Sequence, residues 1–162
     1  MKTFRFFLAS IFLLCCSAVQ AEVIDGINYS LDPSSETASV TSRTEAYSGD
    51  IVIPESVEFD GITYSVTSIG YKAFWECANV TSIVIPNSVT DMEGAFSGCT
   101  GLKEVHISDL AAWCKIDFSN YYSNPLYYAH NLYLNGEKVT NLVIPDGVTE
   151  IKKYAFQDCT GL

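Results

Sequence analysis

The chain has few side chains whose chemistry could support catalysis, and one cysteine is the only nucleophile with a base to activate it. Cys114 could attack as a thiolate if His106 or His130 accepted its proton. The competing interpretation packs Cys114 into the core beside Trp113. The sequence contains no Gly-rich phosphate loop, no His-Glu-x-x-His segment and no Gly-x-Ser-x-Gly turn. We therefore expect no enzymatic activity, with a thiol enzyme that uses Cys114 as the remote alternative.

Three further cysteines, Cys77, Cys99 and Cys159, share one position of a repeated motif. A free cysteine at such a position behaves as a small buried hydrophobe, so stacked, reduced thiols are expected. The alternative is a disulfide between neighbouring coils, which an exported chain could form. No Cys-x-x-Cys pair, closely spaced His or regular calcium loop accompanies them. We predict no metal site and no cofactor.

The repeated motif reads Val-Thr-x-Ile and then Ala-Phe-x-x-Cys, with Met92 in place of Ile in the second copy. Its copies begin at Val66, Val89 and Val148, and each follows an Ile-Pro pair that ends a short β-branched run. A fixed period indicates a solenoid, in which stacked coils supply the core that one coil cannot build alone. Function in such a fold belongs to a surface assembled from many coils, which favours binding over chemistry.

Length and composition suit one folded domain. The chain has 162 residues, 48% of them hydrophobic, and a formal net charge of −10. Lys2 and Arg5 precede an apolar run that leads to small residues, so residues 1–21 are predicted to be a signal peptide. The alternative is a lipoprotein attached through Cys15 or Cys16.

Cleavage of that segment would make the chain still more acidic. Removal of two positive charges leaves 19 acidic and 7 basic side chains, so the net charge of −10 becomes −12. Nucleic acid and anionic membrane surfaces are poor partners for such a chain. The apolar run is too short to span a bilayer stably, so no transmembrane span is expected after cleavage.

The remaining chain divides into a cap and repeats. Residues 22–49 lack the motif but contain strand-like runs around a turn, which predicts an N-terminal β-hairpin cap. Residues 50–162 carry the repeats, and the stretch at about 103–138 is an enlarged one. The last copy stops at Leu162, where a new strand would begin, with no clear C-terminal cap. We expect either a truncated product or a piece of a longer repeat protein.

One apolar interior is expected to run through all coils. In the second coil, Val89, Met92, Phe96 and Leu102 recur where the coil closes on its own interior. The shared motif position predicts that Phe74, Phe96 and Phe156 lie one above another.

Alternation in the strands predicts which side chains face outward. Ile83 and Ile85 are expected to point inward and Val84 outward. Strands stacked in register would then align one outer strip: Asp50, Val52, Ser82, Val84, Glu104, His106, Asn141 and Val143. This strip is the candidate recognition surface, and a solvated sheet face without a ligand is the alternative.

The enlarged repeat is the most individual stretch of the chain. Residues 110–116 suit a short helix, Pro125 interrupts it, and Asn135-Gly136 predicts a hairpin turn after residues 132–134. Four tyrosines form a candidate aromatic platform for a sugar or a protein: Tyr121, Tyr122, Tyr127 and Tyr128. The alternative is that they pack the insertion onto the flank of the solenoid.

The motif closely resembles the BspA-like leucine-rich repeats of bacterial surface proteins. The resemblance covers roughly residues 48–162, and the stretch 107–136 is similar to a long repeat variant of that family. It implies a β-dominated, right-handed leucine-rich-repeat solenoid, with a parallel sheet on one face and short helical or 3-10 turns on the other. It further implies export to the cell surface, binding of host proteins or neighbouring cells, and no catalytic residues.

These observations lead to a functional hypothesis. We expect a secreted or cell-surface bacterial protein that acts as a non-catalytic binding or adhesion module for an extracellular protein or another surface macromolecule. The alternative is a truncated or structural repeat fragment without a ligand of its own.

Overall fold

The computed structural model describes residues 19–162. Residues 1–18 lie outside the described part together with Cys15 and Cys16, so the signal peptide over 1–21 stays a prediction. Within 19–162, no helix has the length and apolar character needed to cross a membrane.

Strands dominate the described chain, and its helices are single turns. The strands are β1 (Gln20–Ile24), β2 (Ile27–Asp32), β3 (Thr37–Thr41), β4 (Ser48–Val52), β5 (Ser56–Phe59), β6 (Ile62–Ile69), β7 (Asn79–Val84), β8 (Asp91–Met92), β9 (Glu104–Ile107), β10 (Asp117–Phe118), β11 (Leu132–Leu134) and β12 (Glu137–Lys138). The helices are α1 (Leu110–Trp113) and α2 (Leu126–Ala129), with a 3-10 turn at Tyr121–Ser123 between them.

The strands form two sheets. The first has seven strands in the order β1-β2-β3-β6-β8-β10, with β5 paired to β6. Its N-terminal strands β1, β2 and β3 pair antiparallel, and β3 then pairs parallel to β6. The second sheet has five strands in the order β12-β11-β9-β7-β4, and all its pairs are parallel except β12 with β11. The predicted strand-rich fold with parallel sheets is confirmed.

Side-chain alternation in the five-stranded sheet follows the predicted pattern. Ile83 and Ile85 are buried, whereas Val84 between them is half-buried on the other face. The ladder aligns Ile51, Ile83, Val105 and Leu132, which are all buried. β-Branched and leucine side chains at every second residue therefore supply one continuous inner face.

The predicted strand over residues 141–144 is wrong. Those residues have no strand structure, and the place beside β9 is taken by β11. The cause is the turn at Asn135 and Gly136, whose φ values of 53° and 84° fit a two-residue hairpin and fold β12 back along β11. Because β12 occupies the outer edge of β11, residues 141–144 cannot pair there.

The core contains the predicted interior of the second repeat. Val89, Met92, Phe96 and Leu102 are all buried, and the rings of Phe74 and Phe96 stack with centroids 5.1 Å apart and planes 5° from parallel. Phe156 departs from the prediction, because it is only half-buried and its ring stacks on no other ring within residues 19–162. The enlarged repeat separates its repeat from that of Phe96.

The enlarged repeat contributes aliphatic side chains where the other repeats have Phe and Cys. Leu126 and Ala129 have the spacing of the motif Phe and Cys, and both are buried. The last repeat is attached to this one by polar contacts: the Trp113 indole N–H donates to the carbonyl of Ala155 at 2.9 Å, and the Asn124 amide donates to Tyr154 and Ala155 at 2.6 and 2.9 Å.

Candidate functional site

The outward side chains of the five-stranded sheet form two rows, which together are called the outer face. The first row runs in register through Val52, Val84, His106 and Tyr133. The second runs through Asp50, Ser82 and Glu104. The structure thus brings together six of the eight residues predicted for the outer strip.

The other two predicted members of the strip lie outside it. Asn141 and Val143 are exposed and belong to no strand, since β12 closes that side of the sheet. Tyr133 of β11 takes the place that the repeat pattern had assigned to Val143. The alternation Leu-Tyr-Leu directly before Asn135-Gly136 was the signal that could have identified it, because the hairpin turn makes those three residues a strand.

His106 and Tyr133 form the most ordered part of the outer face. Their rings stack with centroids 4.6 Å apart and planes 20° from parallel. The imidazole Nε2 of His106 is hydrogen-bonded to one carboxylate oxygen of Glu104 at 2.9 Å, and the Tyr133 hydroxyl approaches the other oxygen at 3.5 Å. The three side chains hold each other in place. An aromatic pair beside a carboxylate is thus already ordered, so a partner that binds there costs little further side-chain entropy.

The carboxylate of Asp50 is a second oriented carboxylate, and it lies on β4 at the other edge of the outer face. Its Oδ1 accepts hydrogen bonds from the hydroxyls of Thr81 at 2.7 Å and Ser82 at 2.8 Å. These two hydrogen bonds lower the pKa of Asp50 from its ordinary value. The carboxylate is therefore ionised and oriented, and it remains exposed to a partner.

The outer face continues into a shallow cleft beyond the ends of the strands. The cleft has a volume of about 410 Å³ and adjoins Val84 and His106. Its other walls are formed mainly by the Ile-Pro pairs and the hairpin turn: Pro54, Pro86, Ser108, Asn135 and Gly136. A bound chain could thus extend from the sheet into a cavity of mixed polarity.

The four tyrosines of the predicted platform lie together. Their ring centroids are 4.0 Å apart for Tyr121 and Tyr122, 5.2 Å for Tyr122 and Tyr127, and 4.9 Å for Tyr127 and Tyr128. The Tyr128 hydroxyl accepts a hydrogen bond from the backbone N–H of Gly98 at 2.9 Å. Tyr121 is exposed, at 40%, whereas the other three are half-buried. These contacts favour packing of the insertion against the second repeat over an open platform.

The four described cysteines are buried, as the motif position predicts for three of them and as packing beside Trp113 predicts for Cys114. Cys77, Cys99, Cys114 and Cys159 are free thiols, and burial raises the pKa of each, that of Cys99 to about 12. The Cys99 thiol donates to the carbonyl of Phe74 at 3.0 Å. Burial therefore disfavours the thiolate, the form that reacts as a nucleophile.

The structure does not assemble the nucleophile and base considered for a thiol enzyme. His106 is hydrogen-bonded to Glu104 on the outer face, and Nδ1 of His130 is paired with the carbonyl of Asp158. Over residues 19–162, neither ring is hydrogen-bonded to Cys114. In the same part of the chain, no three His, Cys, Asp or Glu side chains are grouped so that they could hold a metal ion.

The parallel sheets and the repeated motif make this chain similar to leucine-rich-repeat proteins. The model of a "BspA type Leucine rich repeat region (6 copies)" matches residues 129–162. Residues 129–162 are therefore similar to BspA-type leucine-rich repeats, in line with the resemblance of the motif. No curated protein matches it.

Solved structures extend the similarity. A leucine-rich repeat protein from Bacteroides ovatus ATCC 8483 is 28% identical over 87% of this chain and 39% of its own, with a TM-score of 0.55. A leucine rich cell surface protein from Faecalibacterium prausnitzii A2-165 is 33% identical over 57% of this chain and 24% of its own, with a TM-score of 0.48. The chain thus spans well under half the length of these two proteins.

Proposed function

We propose that this protein is an exported, non-catalytic binding module that recognises an extracellular protein or another surface macromolecule through its outer face. The observation that carries this proposal is the register of Val52, Val84, His106 and Tyr133 across four parallel strands. A row of this kind offers apolar and aromatic surface with two oriented carboxylates beside it, which suits recognition by shape and polar complementarity.

The architecture of the family supports the proposal. We infer that the repeats form a right-handed solenoid, that residues 22–49 cap its first turn, and that the protein acts at the bacterial cell surface, in the manner of an adhesion module. The Faecalibacterium prausnitzii relative is described as a cell surface protein. The free, buried cysteines and the separately engaged histidines agree with a role that involves no chemistry.

The experiment that tests the proposal compares two valine substitutions in the mature chain. Val84→Asp places a charge in the middle of the outer face, whereas Val143→Asp makes the same chemical change at a residue that is 71% exposed and lies outside the sheet. Both proteins are tested against immobilised extracellular matrix proteins and bacterial surface glycans by biolayer interferometry. We expect Val84→Asp to weaken binding at least about tenfold, which corresponds to about 1.4 kcal/mol, and Val143→Asp to leave it unchanged.

Circular dichroism of both variants controls for loss of fold. Equal weakening by both folded variants would refute the assignment of the outer face. If no member of the panel bound the unsubstituted chain, the structural-fragment alternative would be favoured over a binding module.

A further inference from the structure

The free edge of the five-stranded sheet suggests how a partner is held. Among residues 19–162, β4 is the last strand of that sheet and pairs with β7 on one side only. The N–H of Ile53 donates to the carbonyl of Val84 at 3.2 Å, so the backbone of residue 53 faces β7. Because backbone groups alternate sides along a strand, the N–H and C=O groups of Asp50 and Val52 face away from the sheet.

A cleft of about 460 Å³ lies along this edge. It is lined by Ser48, Asp50, Ile51 and Val52 of β4 itself, and on its other side by the β1–β2 turn and residues 43 and 45–47. The side chain of Val52 is 63% exposed there. The unpaired backbone groups therefore face a space that can receive another chain.

The charge around the cleft is acidic. Asp25, Glu45 and Asp50 line it, and Arg43 is the only basic side chain among its lining residues. The Arg43 guanidinium is already engaged, since it donates to the carbonyl of Gly26 at 2.9 Å and lies 3.6 Å from the Glu45 carboxylate. A ligand with positive charge would complement this site.

We propose that the edge of β4 binds an extended, lysine- or arginine-bearing segment of a protein partner, which adds a sixth strand to the sheet. Backbone hydrogen bonds to Asp50 and Val52 hold the segment, and a basic side chain lies beside the Asp50 carboxylate. This inference rests on the proposed function, because the added strand would lengthen both rows of the outer face.

A second copy of the chain fits this edge less well. Two β4 edges paired with each other would bring the carboxylates of Asp50 and Glu45 close to those of the other copy, between two chains that each carry a net charge of −10. Gly49, at φ +74°, also marks an irregularity in the ladder that shortens the regular edge. Charge and bulges are the devices by which native edge strands avoid self-pairing.

The test uses a labelled eight-residue peptide of alternating valine and lysine. Its binding to the mature chain is measured by fluorescence anisotropy. Val52→Pro removes the outward N–H but no hydrogen bond within the sheet, and proline is tolerated at such an edge position. Val52→Thr is the matched control, which keeps the N–H and the β-branched shape. We expect Val52→Pro to weaken binding of the peptide at least about tenfold and Val52→Thr to change it less than about threefold.

Two altered peptides keep the inference falsifiable if Val52→Pro disturbs the fold. A peptide with the same sequence but N-methylated on alternate residues lacks the donors for strand addition, and one with glutamate for lysine reverses the charge. We expect both to lose binding. Three results would overturn the inference. The first is equal binding of the N-methylated peptide, and the second is no binding of the valine and lysine peptide. The third is a dimer of the free chain that Val52→Pro abolishes. Loss of this inference alone would leave the effect of Val84→Asp on a whole partner intact, so the two proposals fail separately.

Discussion

At the scale of single residues, the stacked phenylalanines of the motif should contribute more to the free energy of unfolding than the third phenylalanine, Phe156. Phe96 is fully buried against Phe74, whereas Phe156 is half-buried. Truncation of a buried aromatic ring costs about 3–5 kcal/mol, because it removes packing contacts and leaves a cavity. We expect Phe96→Ala to lower the free energy of unfolding by about that amount and Phe156→Ala by clearly less, as measured by urea denaturation. Equal losses would contradict the packing described for the second repeat.

The thiol of Cys99 should make stability fall at alkaline pH. Its pKa is raised from 9.0 to about 12 by burial, so the folded state keeps its proton where the unfolded state has lost it. The contribution to stability is complete below pH 9 and is lost as the pH rises towards 12. We expect the free energy of unfolding to decline above pH 9 and the decline to be shallower in Cys99→Ala. An unchanged slope in that variant would mean that other groups cause the decline.

Single residues also show what the sequence could and could not reveal. The burial of Val89, Met92, Phe96 and the three motif cysteines followed from the motif, because each lies at a position that the repeat turns inward. The role of Trp113 did not follow, since its indole N–H bonds to Ala155, which is 42 residues away. No local pattern encodes a partner at that separation.

At the scale of elements, Asn124 is one of the residues that attach the last repeat to the enlarged one. The Asn124 side chain is fully buried, donates to two carbonyls of the last repeat and accepts from the N–H of Leu126 at 2.8 Å. Loss of this side chain removes two hydrogen bonds to the last repeat and leaves the buried N–H of Leu126 without its acceptor, at a cost of about 1–3 kcal/mol. We expect Asn124→Ala to accelerate amide hydrogen exchange in residues 152–159.

A matched control for this prediction is Asn120→Ala. Asn120 is also an asparagine that accepts from a backbone N–H, that of Tyr122, but it bonds to no residue of the last repeat. Its substitution should leave exchange in residues 152–159 unchanged, and exchange in β2 should be unaffected by either variant. Uniform acceleration throughout the chain would show that the last repeat does not open independently.

The elements also mark the limit of prediction from repeats. β4 and β7 were foreseen because a short β-branched run that ends in an Ile-Pro pair precedes each copy of the motif. The same pattern wrongly predicted a strand over 141–144, although the competing signal, Asn135-Gly136, was present. Its hairpin gives β12 a local partner in β11, and this local pairing takes precedence over the repeat position.

At the scale of the whole molecule, the acidity of the chain should govern how it meets a basic partner. A net charge of −10 attracts a lysine-bearing segment over a range set by the Debye length, which is about 30 Å at 0.01 M salt and about 8 Å at 0.15 M. We expect binding of the valine and lysine peptide to weaken as salt is raised across this range. Binding that is insensitive to salt would show that charge does not contribute.

The arrangement of the two sheets was only partly accessible to sequence reasoning. The strand-rich character and the outer face over three strands followed from periodicity, but strand order at the C-terminal side depends on contacts between distant segments. The fourth position of the face, at Tyr133, lies in that region.

The central claim is that Tyr133 completes the row formed by Val52, Val84 and His106. Nuclear Overhauser spectroscopy of the mature chain in solution tests it directly, because the rings of His106 and Tyr133 are 4.6 Å apart. We expect cross-peaks between the imidazole protons of His106 and the ring protons of Tyr133, and none between His106 and the methyl groups of Val143. Cross-peaks to Val143 in place of Tyr133 would contradict the outer face described here.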